Sequence, residues 1–239
     1  MLKRVRNLVQ FGRLRTTAPT SRSGKPRFLK TNRRAEFTDF LDLVATRYCR
    51  PPSEFFFIQI GAFDGVAGDP LQHLVRRHGW RGLLVEPQHR AFQKLKENYA
   101  SQPQLQFFNV AIGTKDGELT LYTRKSDDVS IASTNKDLLL KRAPAREVQS
   151  YSVPCWTIAT LLANSGTGAT TIDLLQIDTE GSDYDIIQSI DYRHMKPTIV
   201  RYEHLLMSRR QKNACIALLA SHSYRFIVEE NDTLALLAP

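Results

Sequence analysis

Four groups of residues in this 239-residue chain have types and spacing suited to chemistry. Gly61-Ala62-Phe63-Asp64-Gly65 sets a carboxylate between glycines, which let backbone approach a ligand where a side chain would block it. Glu86 follows about 25 residues after Gly61. A carboxylate there could accept hydrogen bonds from both hydroxyls of a ribose, as the acidic residue of dinucleotide-binding folds does. It could equally be a solvated group at a strand end, or a cap for the helix after Pro87. The nicotinamide fingerprint GxGxxG, which seats a pyrophosphate on a helix N-terminus, is absent because position 63 is Phe. Together, the glycines and Glu86 point to a nucleoside ligand without a pyrophosphate. In Asp178-Thr179-Glu180-Gly181 the two carboxylates alternate, and alternate residues of an extended segment share a side. Such a pair could bind Mg²⁺ beside water or serve as a general base without metal. The sequence leaves that choice, and any metal site, open. Glu203-His204 adds a carboxylate and an imidazole, the natural base near neutral pH.

These residues need elements to hold them. Phe37, Phe40, Leu41 and Val44 recur at helical spacing, predicting a helix over 36–48. Phe55 to Ile60 reads as a buried strand, followed by a helix from about Pro70 to His78. Leu83 to Val85 is a second strand, and Ala91, Phe92, Leu95 and Tyr99 mark the next helix. Leu105 to Ile112 is a third strand. The stretch from Thr114 to Ser152 is irregular; Asp116-Gly117 and Leu119 to Tyr122 suggest a hairpin arm. Then come a helix over 157–163, a strand over 172–177, a helix over 183–190 and a strand over 198–202. Ser208 and Gln211 have capping-box spacing for a last helix through Ser221. Two short strands within 224–237 close the chain. This alternation predicts an α/β fold with a mainly parallel seven-stranded sheet and helices on both faces. Ligands in such sheets bind outside the carboxyl ends of the strands. Positions 61–65, 86–87, 109–111, 178–181 and 203–204 all fall there. The polar segment 126–146 is the natural place for substrate selection, while Trp80 and Trp156 read as packing residues.

The net charge of +9 invites a nucleic-acid reading, but its distribution does not. Residues 1–35 hold eleven of the 33 basic residues and none of the 24 acids, leaving the body a small acidic excess. Residues 1–35 are therefore expected to form a basic, disordered arm, and 36–239 the folded domain. Arginines interrupt any signal-peptide core, although the composition overlaps with organellar transit peptides. No stretch approaches the roughly 18 apolar residues that span a bilayer. Cys49, Cys155 and Cys215 are scattered and form no CxxC pair, which suits a reducing, cytoplasmic location.

Five blocks of the chain carry a family resemblance. They are Phe57 to Gly65, Gly82 to Pro87, Asn109 to Gly113, Asp173 to Asp183 and Val200 to His204. In order and spacing the chain resembles the FkbM family of methyltransferases over roughly residues 54–237, most specifically at Ile177-Asp178-Thr179-Glu180-Gly181. The resemblance implies a Rossmann-like methyltransferase fold and an S-adenosylmethionine site. Gly61, Asp64 and Gly65 would hold the methionine part and Glu86 the ribose. Asn109, Val110 and Ala111 would flank the adenine. The implied acceptor is a hydroxyl on a sugar, glycan or secondary metabolite, with Asp178, Glu180, Glu203 and His204 as candidates for proton removal. The chain departs from the family at Thr157-Ile158-Ala159, where the pattern often carries a carboxylate.

Two other readings compete. A nicotinamide-dependent oxidoreductase on a similar sheet is disfavoured by the missing GxGxxG. A non-enzymatic nucleic-acid-binding protein using the basic arm lacks the aromatic-basic stripe of single-strand binders, so no specific nucleic-acid partner is expected. The oligomeric state is left open.

Overall fold

The computed structural model describes residues 40–124, 132–140 and 144–238. The basic arm, the first residues of the expected 36–48 helix and parts of segment 126–146 lie outside the described residues. Helix α1 (Phe40–Tyr48) leads into β1 (Phe56–Ile60), α2 (Gln72–His78), β2 (Arg81–Val85), α3 (His89–Asn98) and β3 (Leu105–Phe108). Next come β4 (Ala111–Ile112), β5 (Gly117–Arg124), β6 (Ala132–Ser133), α4 (Lys136–Leu140) and β7 (Val148–Trp156). The remainder is α5 (Ile158–Ser165), β8 (Leu174–Ile177), α6 (Asp183–Ser189), β9 (Ile199–Glu203), α7 (Arg209–Ser221), β10 (Tyr224–Val228) and β11 (Asp232–Leu237).

Seven strands form the main sheet in the order β10-β11-β9-β8-β1-β2-β3. The pairs from β9 to β3 are parallel, whereas β11 runs antiparallel to both β9 and β10. The sheet is thus mixed, with one reversed strand in a mainly parallel set. Every residue of β1 and β8 is buried, as expected for central strands covered on both faces. Phe56, Ile58 and Ile60 pack on one face with Leu175, Ile177, Leu161, Ile186 and Leu219. Phe57 packs on the other with Leu174, Leu41, Leu74, Trp80 and Leu95. Helix α7 begins with the capping box read from the sequence: Ser208 accepts from the Gln211 N–H while Gln211 reaches back to the Ser208 N–H.

The expected third strand is in fact two. Pairing with β2 ends at Phe108, and Ala111–Ile112 instead pair with Cys155–Trp156. The Asn109 side chain causes the break by donating to the carbonyls of Glu86 and Pro87, at 2.8 and 3.1 Å. β4 so belongs to a second sheet of order β4-β7-β5-β6. The expected arm is this sheet, in which β5 and β7 pair antiparallel over eight residue pairs. Its nine-residue β7 went unread in the sequence because mostly polar, exposed residues and Pro154 mask any alternation. Helix α2 starts at Gln72 rather than near Pro70, where Asp69 Oδ1 accepts the Leu71 N–H at 2.7 Å. Among the described residues no helix is long and apolar enough to cross a membrane.

Candidate active site

A cleft of about 350 Å³ opens at the carboxyl ends of β1, β2 and β8, a size usual for small-molecule sites. Gly61, Glu86, Val110, Ala111, Asp178 and Glu180 all line it. Asp64, Gly65, Asn109, Glu203 and His204 are not part of its wall.

Gly61 has φ +80°, and a Cβ there would collide with the Asp178 carbonyl oxygen. Its glycine identity therefore comes from the β8 loop crossing over it, fixed by the Asp178 N–H donating to the Ile60 carbonyl at 2.9 Å. Gly65 is needed for a different contact: a Cβ would run into Tyr99 and Leu95 of the α3 region. Asp64 Oδ1 is occupied by the N–H groups of Val66 and Ala67, at 2.9 and 2.8 Å, so it shapes the loop.

Glu86 is only 3% exposed, yet it borders the cleft. One carboxylate oxygen accepts the Phe63 N–H at 2.9 Å and the other the Gln88 N–H at 2.8 Å. Burial raises its pKa to about 7 against these hydrogen bonds. A carboxylate offers about four acceptor positions, so capacity for an outside donor remains, although the Gln88 side chain also interacts with it. Asn109, outside the wall, holds the Glu86–Pro87 backbone in place from the end of β3.

Asp178 reaches solvent through the mouth of the cleft, while protein surrounds it densely from behind. Desolvation, followed by the carboxylates of Asp183, Glu180 and Asp232, lifts its pKa to about 7; Arg201 opposes the shift. Glu203, the last residue of β9, stands beside Asp178 and is raised to about 8 by burial, then by Asp178, Glu180 and Asp183. Buried Asp183 is also raised by desolvation, although Oδ2 accepts from the Thr179 hydroxyl at 2.8 Å. Glu180 adopts φ +53°, and its carbonyl accepts the Ser133 hydroxyl at 2.7 Å. His204 is turned elsewhere: it is buried, its Nδ1 lies 3.0 Å from Thr233 Oγ1, and desolvation lowers its pKa. Among the described residues no three His, Cys, Asp or Glu side chains are grouped to hold a metal ion.

Sequence reasoning missed several wall residues. Phe63 and Gln88 matter through their backbone N–H groups, which no residue type announces. Leu121, Ala132 and Thr134 arrive from the second sheet, and Thr134 Oγ1 lies 2.7 Å from Ser182 Oγ. Segment 126–146 reaches the cleft at Ala132 and Thr134; residues 125–131 and 141–143 lie outside the described residues.

The sheet order, its single reversed strand and the cleft over β1 define a Rossmann-like methyltransferase fold. The model of the methyltransferase FkbM domain matches residues 59–226, and the chain belongs to that family. No curated protein matches it. Among solved structures it is similar to methyltransferase FkbM from Methylobacillus flagellatus KT, at 13% identity and TM-score 0.49, covering 78% of this chain. The chain spans about half of that protein, 48% of its length. It is also similar to the O-methyltransferase from Bacillus cereus in complex with SAH, at 10% identity and TM-score 0.45, covering 83% and 79% of the two chains. A third is TomG from Streptomyces achromogenes, an O-methyltransferase involved in tomaymycin synthesis and bound to SAM, at 11% identity, TM-score 0.44, and 82% and 77% coverage.

Proposed function

We propose that this methyltransferase uses S-adenosylmethionine to methylate a hydroxyl of a sugar, glycan or secondary metabolite. One observation carries the reading. A buried carboxylate with spare acceptor capacity, Glu86, and an exposed carboxylate, Asp178, line one cavity from the two strands that flank β1. Glu86 suits the paired hydroxyls of a ribose, and Val110, Ala111, Ile112 and Leu121 supply an apolar wall suited to a flat base. When bound, S-adenosylmethionine supplies an activated methyl group whose leaving group is a neutral thioether. What remains for the protein is to align the acceptor and take its hydroxyl proton. Asp178 is the proton acceptor in this reading: its pKa of about 7 matches a base working at neutral pH. Glu203, outside the wall, is itself raised by burial and then by Asp178, and it takes no part in proton transfer in this reading. A cytoplasmic location goes with the free thiols of Cys49, Cys155 and Cys215.

Calorimetric titration with S-adenosylhomocysteine and NAD in parallel tests the reading. Binding of the first and not the second is expected; NAD binding alone would favour the oxidoreductase.

A further inference from the structure

The charge of the cleft is unbalanced. Its charged lining among the described residues is Glu86, Asp178 and Glu180, with no Lys, Arg or His. Glu86 has a backbone N–H on each oxygen. The Asp178 carboxylate has no hydrogen-bond partner among the described residues, although its backbone N–H is bonded to Ile60. Further carboxyl groups surround it on every packed element. Asp183 stands on α6, Glu180 on the same loop, Asp232 on β11 and Glu203 on β9, while Glu86 interacts with it from the end of β2. Arg201 of β9 is the cation in this set, and it is already engaged. Its guanidinium donates to Gln176 Oε1 at 3.2 Å and pairs with Asp232 at 2.8 Å and Glu229 at 3.3 Å. A carboxylate held in such surroundings gains most from a positive charge brought by the ligand, because partial exclusion of water strengthens the attraction.

We infer that Asp178 makes the cleft selective for ligand charge, favouring the cationic sulfonium cofactor over its neutral thioether product, and that protonating this carboxylate removes the preference. The inference rests on the cofactor reading above. Its consequence is directional: methyl transfer removes the positive charge at sulfur, so the group that holds the reactant ceases to hold the product. The nearby raised pKa of Asp178, about 7, places the change within the neutral range.

S-adenosylmethionine and S-adenosylhomocysteine share their nucleoside and amino-acid parts, so the ratio of their affinities isolates the charge at sulfur. Both ligands are titrated calorimetrically into the 239-residue wild-type chain and into Asp178→Asn, at several values between about pH 5.5 and 7.5. In the wild type, preference for the sulfonium should rise about fivefold across this range, the size expected for unit charges several ångströms apart in a partly aqueous site. In Asp178→Asn the ratio should stay flat. A flat wild-type ratio, or a slope that survives in the variant, overturns the inference while leaving the cofactor reading intact. Binding of neither ligand by folded wild-type protein overturns both. If Asp178→Asn does not give a cooperative thermal melt, Asp178→Ser replaces it and is judged by the same slope.

Discussion

At the residue scale, three positions separate roles that the sequence alone leaves merged. Glu86→Ala should leave the fold intact and weaken S-adenosylhomocysteine binding severely. Two charge-assisted hydrogen bonds of about 1.5–3 kcal/mol each would be lost, and calorimetry showing unchanged affinity would end the ribose assignment. Gly61→Ala addresses the fold instead. Its φ of +80° and the Asp178 carbonyl leave no space for a methyl group. Destabilisation of roughly 3 kcal/mol or more is expected in urea unfolding. Asp178→Asn keeps the shape of the side chain and removes its charge and basicity. If Asp178 takes the acceptor proton, methyl transfer should fall about 10²–10⁴-fold. Near-normal turnover, measured with labelled cofactor and any hydroxyl acceptor found to be methylated, would remove it from the reaction. The positions of Gly61, Glu86 and Asp178 were legible in sequence because each ends an apolar strand. The reason for Gly61 was not, since the atom that forbids a side chain belongs to a loop over a hundred residues away.

At the element scale, the main sheet was readable and the second one only in outline. Strands such as Phe56–Ile60 and Leu174–Ile177 are continuous apolar runs, which buried parallel strands require. The division of the third strand was hidden, because it depends on one amide side chain, that of Asn109, capturing carbonyls of the neighbouring loop. The start of α5, where the chain has Ala159, is tied to the second sheet. The carboxylate near the start of α5 comes from Asp116 on the second sheet's approach, whose oxygens accept the Thr157 N–H at 2.6 Å and the Thr160 hydroxyl at 2.7 Å. At the opposite pole of the sheet, Asp173 is 1% exposed and ties three segments together. It pairs with Arg50 at 2.6 Å and accepts the Phe56 N–H at 2.9 Å, where β1 begins. Asp173→Ala leaves that N–H buried without a partner. A loss of about 2–3 kcal/mol in unfolding free energy should follow, below the full cost of a broken buried pair because Arg50 can turn to water. Denaturation midpoints unchanged from wild type would show the pair to be dispensable.

At the scale of the whole molecule, the overall charge misleads about the site. The chain is basic, with a net charge of +9, but its cleft is acidic and backed by further buried carboxylates. Desolvation raises Glu86 and Asp178 to about 7 and Glu203 to about 8, and it raises Asp69, Asp183 and Asp232 as well. Unfolded, such groups would titrate near pH 4. Between roughly pH 4.5 and 8 the folded chain therefore holds protons that the unfolded chain has released, and stability must fall as pH rises. The stabilising contribution is complete below the unfolded values and disappears as pH passes the folded ones. His204, held low by desolvation, opposes this trend below its ordinary value near 6.5, and below about pH 4 Asp116 and Asp191, held low by hydrogen bonds to Thr160 and His194, oppose it as well. The protein should accordingly melt at a higher temperature at pH 5.5 than at pH 8, and Glu203→Gln should reduce the difference by removing one of the raised groups. Thermal melts of both proteins across this range decide the matter. A wild-type melting temperature that climbs from pH 5.5 to 8 would mean that these carboxylates find compensating partners in solution, and would weaken the case for uncompensated carboxyl groups at the cleft.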